Sequence, residues 1–201
     1  MCRENQRTVT EYRVNKITGK LFVLSGPSGV GKGTLREHAL ENFSNLVYSI
    51  SCTTREPREG ETNGVEYRFI SRDEFEQGIN NNLFLEYARV HEHYYGTLKS
   101  DVIRELNAGR NVLLEIDVQG ALQVREKINN AVLIFIAPPS IEELSRRLIN
   151  RNTESQHDLN IRLSNAVKEL KFADKYDYII VNDDLDLASR KLQEIFTNES
   201  R

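Results

Sequence analysis

The feature that most constrains this chain is a glycine-rich segment that directly follows a short apolar run. The run is LFVL at 21–24, and the segment at 26–34 reads GPSGVGKGT. Gly26, Gly31 and Lys32 match the spacing G-x-x-x-x-G-K, which binds the phosphates of a nucleoside triphosphate when a strand precedes it and a helix follows. Glycines let backbone N–H groups turn toward phosphate oxygens, and the helix presents the positive end of its dipole. The segment therefore predicts a phosphate-binding loop.

This loop supplies the candidate ATP-binding residues. They are Gly26, Ser28, Gly29, Val30, Gly31, Lys32, Gly33 and Thr34. Lys32 brings a flexible positive charge to the β- and γ-phosphates. The residue after the lysine is usually a serine or threonine that binds Mg²⁺, but here it is Gly33, with Thr34 next. Either Thr34 binds the metal or Mg²⁺ is held mainly through water, and the sequence leaves both open.

Five short apolar runs predict the strands of a parallel sheet. They lie at 21–24, 46–50, 112–114, 131–136 and 178–181. They are continuous rather than alternating, as in strands that helices cover on both faces. Helical patterns lie between them, so the prediction is an α/β fold with a P-loop NTPase-type parallel sheet core flanked by helices. With 201 residues, the chain is long enough for one domain with a substantial insertion.

The segment from about 51 to 100 interrupts this alternation of strands and helices. It is polar and rich in turn residues, with short strand candidates at 66–70 and 83–87. Between them, Ser71 and Glu74 have the spacing of a capping box that begins a helix. About 50 residues are too many for a plain loop, so the segment predicts a small lobe inserted into the core.

Two carboxylates lie at the end of the apolar run at 112–114. Glu115 and Asp117 are two residues apart, and residues at this spacing share one face of a strand. Ligands bind at the carboxyl ends of the strands in open α/β sheets. The sequence therefore predicts that the pair projects into the site, where it binds magnesium-bound water or donors of a substrate.

Composition excludes several classes of protein. The net charge is −3, which does not indicate a broad nucleic-acid-binding face, and no apolar run approaches the length of a membrane span. The two cysteines indicate a reducing compartment, so we expect a cytoplasmic protein. Residues 1–18 predict a disordered tail. A mitochondrial presequence is the alternative because four basic residues lie there, although two glutamates and the absence of serine argue against it.

Several further segments carry a family resemblance. They are SCTTREPREGE at 51–61, NGVEY at 63–67, FLEY at 84–87, YYGT at 94–97 and IAPPS at 136–140. Together with the phosphate-binding loop, they closely resemble guanylate kinase, a family that transfers a phosphoryl group from ATP to GMP. The resemblance runs from about Lys20 to the C-terminal helix. It implies Mg²⁺ with ATP, and GMP or dGMP as the acceptor.

The resemblance assigns four residues of the lobe to the GMP phosphate. They are Arg55, Arg58, Tyr67 and Tyr95. The residue types agree with this role, because two arginines three positions apart can clamp a phosphate and tyrosine hydroxyls can add donors.

Four more residues match positions near the base in the resemblance. Glu86 matches the glutamate that reads guanine, Asp117 assists it, and Ser51 and Thr97 supply hydroxyls. Guanine presents N1–H and an amino group to a carboxylate acceptor. Adenine would instead direct a lone pair at N1 toward the carboxylate, so discrimination includes repulsion.

The segment at 146–155 resembles the mobile lid of the family. Arg147, Arg151 and Arg162 match its arginines, which with Lys32 form the candidate catalytic set and neutralise charge during transfer. Asn152 departs from the common R-G-T pattern. The resemblance also places Asn182 near the adenine, although turn chemistry explains an asparagine there equally well.

The predicted organisation is a tail at 1–18 followed by one guanylate-kinase-like domain at 19–201. Its core covers about 19–50, 101–141 and 173–201, the GMP-binding lobe about 51–100, and the lid about 142–172. We expect the lobe and the lid to close over the core when both nucleotides bind.

Two other interpretations were weighed. Some guanylate-kinase-like domains are scaffolds that bind proteins, but those typically lose the loop lysine or its glycines, which are present here. A related kinase that phosphorylates a ribose phosphate is disfavoured by Glu86, Tyr95 and Thr97, which serve the nucleotide. Nucleic acid and membrane partners are not expected, and the oligomeric state is left open.

Overall fold

The computed structural model describes residues 18–90, 92–150 and 156–200. Its strands are β1 (Leu21–Ser25), β2 (Leu46–Tyr48), β3 (Cys52–Thr53), β4 (Arg68–Phe69), β5 (Phe84–Val90), β6 (His93–Leu98), β7 (Asn111–Glu115), β8 (Val132–Ala137) and β9 (Tyr178–Val181). Its helices are α1 (Lys32–Asn42), α2 (Arg72–Asn80), α3 (Lys99–Asn107), α4 (Val118–Lys127), α5 (Ile141–Asn150), α6 (Gln156–Leu170) and α7 (Leu185–Glu199), and a 3₁₀ turn covers Ala173–Lys175. The predicted tail, apart from Thr18, and Arg151 and Asn152 of the predicted lid lie outside the described residues.

The central sheet has five parallel strands in the order β2-β7-β1-β8-β9. Helices cover both faces. On one face, Phe22 packs against α1 and α7 with Leu35 and Phe196, and on the other, Val23 packs with Val124 of α4. All five predicted strands are present, and the predicted α/β class is confirmed. The continuous apolar runs arise because each of these strands except the edge strands is buried from both sides.

A second sheet is built from the segment between β2 and α3. Its order is β4-β3-β6-β5, with β6 antiparallel to both of its neighbours. The helix α2 starts at the predicted capping box of Ser71 and Glu74. Phe75 of α2 stacks on Phe84 at 4.3 Å between ring centroids, and this pair with Cys52 forms the small core of the lobe.

The strands of this second sheet differ from the prediction in extent. The predicted strand at 66–70 is reduced to β4, because residues 62–67 form a turn in which Gly64 N donates to Tyr67 O. The strand predicted at 83–87 runs on to Val90 as β5. Its partner β6 and the short β3 were not predicted.

The helices α5 and α6 form a separate hairpin beside the phosphate-binding loop. Leu144 and Leu148 of α5 pack against Leu159 of α6. Within the described part of the chain, no helix is both long enough and apolar enough to cross a membrane.

Candidate active site

A cleft of about 530 Å³ opens between the central sheet and the second sheet. Its walls include many residues that the sequence predicted for the site: Gly26, Ser28, Lys32, Ser51, Tyr67, Glu86, Tyr95, Glu115 and Asp117. The carboxyl ends of β1 and β7 form its floor, which is where an open parallel sheet binds ligands.

Three glycines of the phosphate-binding loop, Gly26, Gly29 and Gly31, have a positive φ that residues with a Cβ rarely adopt. Gly26 has φ 138° and Gly31 has φ 95°. A Cβ on Gly26 would lie 2.2 Å from the carbonyl oxygen of Ile136 in β8, and one on Gly31 would lie 2.5 Å from Nδ2 of Asn182. The loop is therefore pressed against the ends of its neighbouring strands, which hold its shape.

Lys32 begins α1 and folds back along the loop. Its Nζ donates to the carbonyl oxygens of Gly26 at 2.6 Å and Pro27 at 3.0 Å. The ammonium group therefore lies within the curve of the loop, where phosphate oxygens bind in loops of this kind.

Asn182 supports the loop from the end of β9. Its buried side chain donates through Nδ2 to the carbonyl oxygen of Val30 at 2.8 Å. Its backbone N–H donates to Ala137 O, also at 2.8 Å. The contact visible in the structure therefore stabilises the loop, and the adenine contact that the resemblance implies stays a prediction.

The two lobe arginines are organised by a carboxylate that sequence reasoning missed. Glu61 accepts a bidentate pair of hydrogen bonds from Arg55, at 2.8 and 2.9 Å, and a third from the backbone N–H of Arg58 at 2.7 Å. Hydrogen bonds from Arg55 hold the pKa of Glu61 below its usual value. The signal was an acidic residue six positions after Arg55, in a turn that carries charges of both signs.

Tyr67 and Tyr95 lie edge to face in the cleft wall, with 5.8 Å between ring centroids. The Arg55 guanidinium lies over the Tyr67 ring at 5.5 Å. Burial raises the pKa of Tyr67, so its hydroxyl stays protonated at neutral pH and is available as a donor. The tyrosines therefore line the cleft next to the arginine turn, whereas the Arg58 side chain is exposed.

In the wall of the cleft that the second sheet forms, Glu86 makes a buried carboxylate–hydroxyl pair with Thr97. Thr97 Oγ1 donates to Glu86 Oε1 at 2.6 Å, and the two residues are 0% and 3% exposed. Burial raises the pKa of Glu86 from 4.5 to about 7, against the opposing effect of the Thr97 hydrogen bond. Ser51 is also buried in this wall. A carboxylate at this depth is suited to accept hydrogen bonds from a bound ring.

The prediction that Glu115 and Asp117 share a strand face is wrong. The strand β7 ends at Glu115, and Asp117 is the N-cap of α4, where its Oδ1 accepts from Gly120 N at 2.8 Å. An aspartate that can bond the first helical turn caps the helix in preference to extending the strand. Both side chains still reach the cleft, and Glu115 accepts a hydrogen bond from Arg36 at 2.9 Å.

Two of the three predicted lid arginines are described: Arg162 contacts the phosphate-binding loop, and Arg147 contacts the residue that follows β9. Arg162 of α6 donates to Ser28 Oγ at 2.6 Å. Arg147 of α5 donates to the carbonyl oxygen of Asn182 at 2.9 Å and to Glu143 at 2.7 Å. Arg151 lies outside the described residues.

The helix α6 contributes further residues that sequence reasoning missed. Asn165, Lys168 and Glu169 line the cleft. Burial raises the pKa of Glu169, and nearby Lys32 opposes this shift. For Asn165 and Glu169, the signal was their helical spacing of three and seven residues from Arg162, which places them on its face of the helix.

Comparisons with known proteins agree on one family. The family model described as "Guanylate kinase" matches residues 18–199. The guanylate kinase of Clostridium tetani is 51% identical over 181 residues, 90% of this chain and 86% of that protein. The one of Thermotoga maritima is 46% identical over 90% of this chain and 87% of its own length. A crystal structure of guanylate kinase from Anaplasma phagocytophilum has a TM-score of 0.75 and 35% identity, covering 92% of this chain and 88% of its own.

Proposed function

Because this chain belongs to the guanylate kinase family and transfers a phosphoryl group from ATP to GMP, we propose that its cleft holds the two nucleotides with their phosphates meeting at Lys32. One observation carries this division most directly. The walls of one cleft include both the phosphate-binding loop and Glu86, whose buried carboxylate accepts a hydrogen bond from Thr97.

The ATP phosphates bind to the loop of Gly26, Ser28, Gly29, Val30, Gly31, Lys32, Gly33 and Thr34. The positive φ angles of its glycines and the N-terminus of α1 support this assignment, because both present backbone N–H groups to an anion. Asn182 holds the loop in this shape. The resemblance to the family also assigns it a place near the adenine.

The GMP phosphate is clamped by Arg55 and Arg58, with hydroxyl donors from Tyr67 and Tyr95. Glu61 accepts from Nη1 and Nη2 of Arg55 and fixes the guanidinium plane before the phosphate arrives, so that Nε–H and the second N–H of Nη2 donate to the phosphate. Preorganisation of this kind reduces the cost of ordering a long side chain on binding.

Glu86 accepts hydrogen bonds from N1–H and the amino group of guanine, with Ser51, Thr97 and Asp117 around it. The Thr97 hydroxyl already occupies Oε1, which fixes the direction of the carboxylate. A buried, oriented acceptor rejects a base that offers it a lone pair, since the polar group would then be left unpaired.

The residues present fit a Mg²⁺ ion that is bound largely by ATP and water. Thr34 is exposed at the start of α1, and Glu115 lies in the cleft wall. Among the described residues, no three His, Cys, Asp or Glu side chains cluster as a metal site of their own. Proteins commonly bind Mg²⁺ through one or two side chains, phosphates and several waters. When bound, Mg²⁺ neutralises charge on the β- and γ-phosphates.

The chain supplies alignment and positive charge rather than a general base. The second pKa of a phosphate monoester is about 6, so much of GMP is already the nucleophilic dianion at neutral pH. Lys32, Arg147, Arg151 and Arg162 neutralise the charge of the transferring group. Closure of the lobe and the lid excludes water and so prevents hydrolysis of ATP.

An acceptor panel tests this assignment. ADP release from ATP and Mg²⁺ is measured with GMP, AMP, UMP, CMP and ribose 1,5-bisphosphate as separate acceptors, for the parent and for Glu86→Gln. We expect release with GMP in the parent, and a higher KM for GMP with an unchanged KM for ATP in the variant. Equal losses for both nucleotides would remove Glu86 from base recognition, and release with the ribose phosphate would contradict the guanine pocket.

A further inference from the structure

The strand that carries Glu86 is an edge strand whose free side is covered by α4. In the order β4-β3-β6-β5, one side of the β5 backbone has no partner strand. Gln123 of α4 takes that place, because its Oε1 accepts from Tyr87 N at 3.2 Å and its Nε2 donates to Tyr87 O at 2.7 Å. Lys127 donates to Leu85 O at 2.5 Å. Two side chains of one helix thus bind the backbone on both sides of Glu86.

The third feature of α4 next to Glu86 is a glycine, which has no side chain. Gly120 lies in the first turn of α4, and a Cβ there would be 2.3 Å from Oε2 of Glu86. The glycine therefore makes room for the carboxylate at the N-terminal end of the helix. The positive end of a helix dipole favours a negative charge at that place.

The helix α4 is itself fixed in the hydrophobic core. Its Val118, Ala121 and Val124 are buried against the central sheet. The position of Glu86, which belongs to the lobe in sequence, is therefore set by a helix of the core as well as by its partner Thr97.

We propose that α4 positions the guanine-reading carboxylate, with Gly120, Gln123 and Lys127 as the positioning residues. This inference rests on the proposed role of Glu86. It adds that discrimination among bases depends on α4. We do not expect Gly120, Gln123 or Lys127 to contact the base themselves. Gln123 aligns the strand, Lys127 anchors the preceding carbonyl, and Gly120 sets how closely the carboxylate approaches the helix.

Gly120→Ala tests the close approach. The added methyl meets the side chains of Glu86 and Ile116 rather than backbone, and alanine is the better helix former, so the variant should fold with the carboxylate displaced. We expect its KM for GMP to rise about tenfold, because displacing a binding group by about 1 Å can cost up to about 100-fold. The KM for ATP should not change, and preference for GMP over IMP, which lacks the amino group, should fall.

Gln123→Ala tests the backbone contact, with Glu126→Ala as a matched control. Glu126 is exposed on the same helix, so its removal should leave the KM for GMP unchanged. Thermal unfolding of all variants shows whether the fold is retained. A rise in the KM for GMP in Gln123→Ala, without a change for ATP, supports positioning.

A double-mutant cycle with Glu86→Gln separates the possible failures. If α4 acts through the carboxylate, Gln123→Ala and Gly120→Ala should add little in the Glu86→Gln background. Equal effects in both backgrounds overturn the inference, because the α4 residues then act independently of Glu86. The inference is also overturned if Glu86→Gln raises the KM for GMP while neither Gln123→Ala nor Gly120→Ala does. An unchanged KM for GMP in Glu86→Gln overturns the proposed role of Glu86, and this inference with it.

Discussion

The proposed ATP end of the cleft, formed by the phosphate-binding loop, and its proposed GMP end, formed by the second sheet, are built in different ways. At the ATP end, a backbone loop lies against the buried ends of neighbouring strands, and Gly26 and Gly31 leave no room for a side chain. At the GMP end, side chains hold other side chains, as in Arg55 with Glu61 and Glu86 with Thr97. Backbone N–H groups suit phosphates, which every nucleotide has, whereas recognition of one base requires side chains of particular chemistry.

The hydrophobic cores beneath the two ends also differ, in size. The central sheet packs between two large hydrophobic clusters. The second sheet packs mainly on Cys52, Phe75 and Phe84, with a few half-buried neighbours. The proposed ATP end therefore rests on extensive hydrophobic packing, whereas the proposed GMP end rests on hydrogen bonds and a small core.

The largest effect is expected at the ATP end. In Lys32→Met, phosphoryl transfer should fall at least about 10³-fold, because the charge that faces the β- and γ-phosphates is lost. The fold should be retained, since the bonds of this ammonium to Gly26 and Pro27 lie at the cleft surface. Coupled ADP release and circular dichroism check both, with exposed Lys171→Met as the control. Activity that survives in folded Lys32→Met would contradict the assignment.

At the GMP end, Arg55→Lys keeps the charge and removes the fork. We expect the KM for GMP to rise on the order of 100-fold, because a lysine cannot replace two charged hydrogen bonds in a plane. The KM for ATP should stay the same. Steady-state kinetics for both substrates measure this, and Arg72→Lys, whose arginine pairs with Glu76 on the surface, is the matched control. Equal rises for both substrates would show that the lobe arginine does not act on GMP.

The buried carboxylate should make stability depend on pH. Burial raises the pKa of Glu86 to about 7 from 4.5, so between these pH values the folded chain binds more protons than the unfolded chain. The neutral carboxyl thus contributes about 3 kcal/mol to the free energy of unfolding below pH 4.5, and this contribution is lost as the pH rises through 7.

Glu86→Gln has no such group and should escape this loss. The free energy of unfolding of Glu86→Gln minus that of the parent should therefore increase from pH 5 to pH 8. The variant should also use GMP less well. Urea unfolding of both proteins at four pH values measures the difference. Parallel pH curves for the two proteins would mean that Glu86 titrates as an ordinary exposed glutamate.

The small core of the lobe gives a weaker but local effect. Phe75→Leu should cost about 1 kcal/mol, because it leaves a gap where Phe75 stacks on Phe84. Hydrogen exchange should accelerate in the second sheet and not in the central sheet. Phe22→Leu is the control in the central core, and it should affect both sheets. Acceleration of both sheets by Phe75→Leu would mean that the lobe has no independent stability.

The smallest effect is expected at Gly33. A Cβ at this position meets nothing within 4 Å, and its φ is not in the left-handed region. Gly33→Ser should therefore fold, gain up to about 0.5 kcal/mol of helix stability, and retain transfer. Thermal unfolding and the KM for ATP with Mg²⁺ measure the outcome. A large loss of activity would indicate that the loop requires glycine at 33 as strictly as at 31.

Much of the fold was predictable from local patterns. The five continuous apolar runs became the five parallel strands, and the capping box of Ser71 and Glu74 began α2 as expected. The phosphate-binding loop was recognisable because its chemistry depends on neighbours within nine residues. Burial on both faces and helix capping each impose a residue type at a fixed spacing, so the sequence by itself determined these parts.

Tertiary structure decided what depends on distant residues. The assembly of β3 with β6 and the contact of Gln123 with Tyr87, 36 residues away, have no local signature. Such contacts depend on how helices and sheets pack. Many residue types are compatible with an isolated surface position, and only the packing shows which partner lies next to it. The motifs therefore predicted a nucleotide kinase, while the packing of α4 on β5 decided where the Glu86 carboxylate lies.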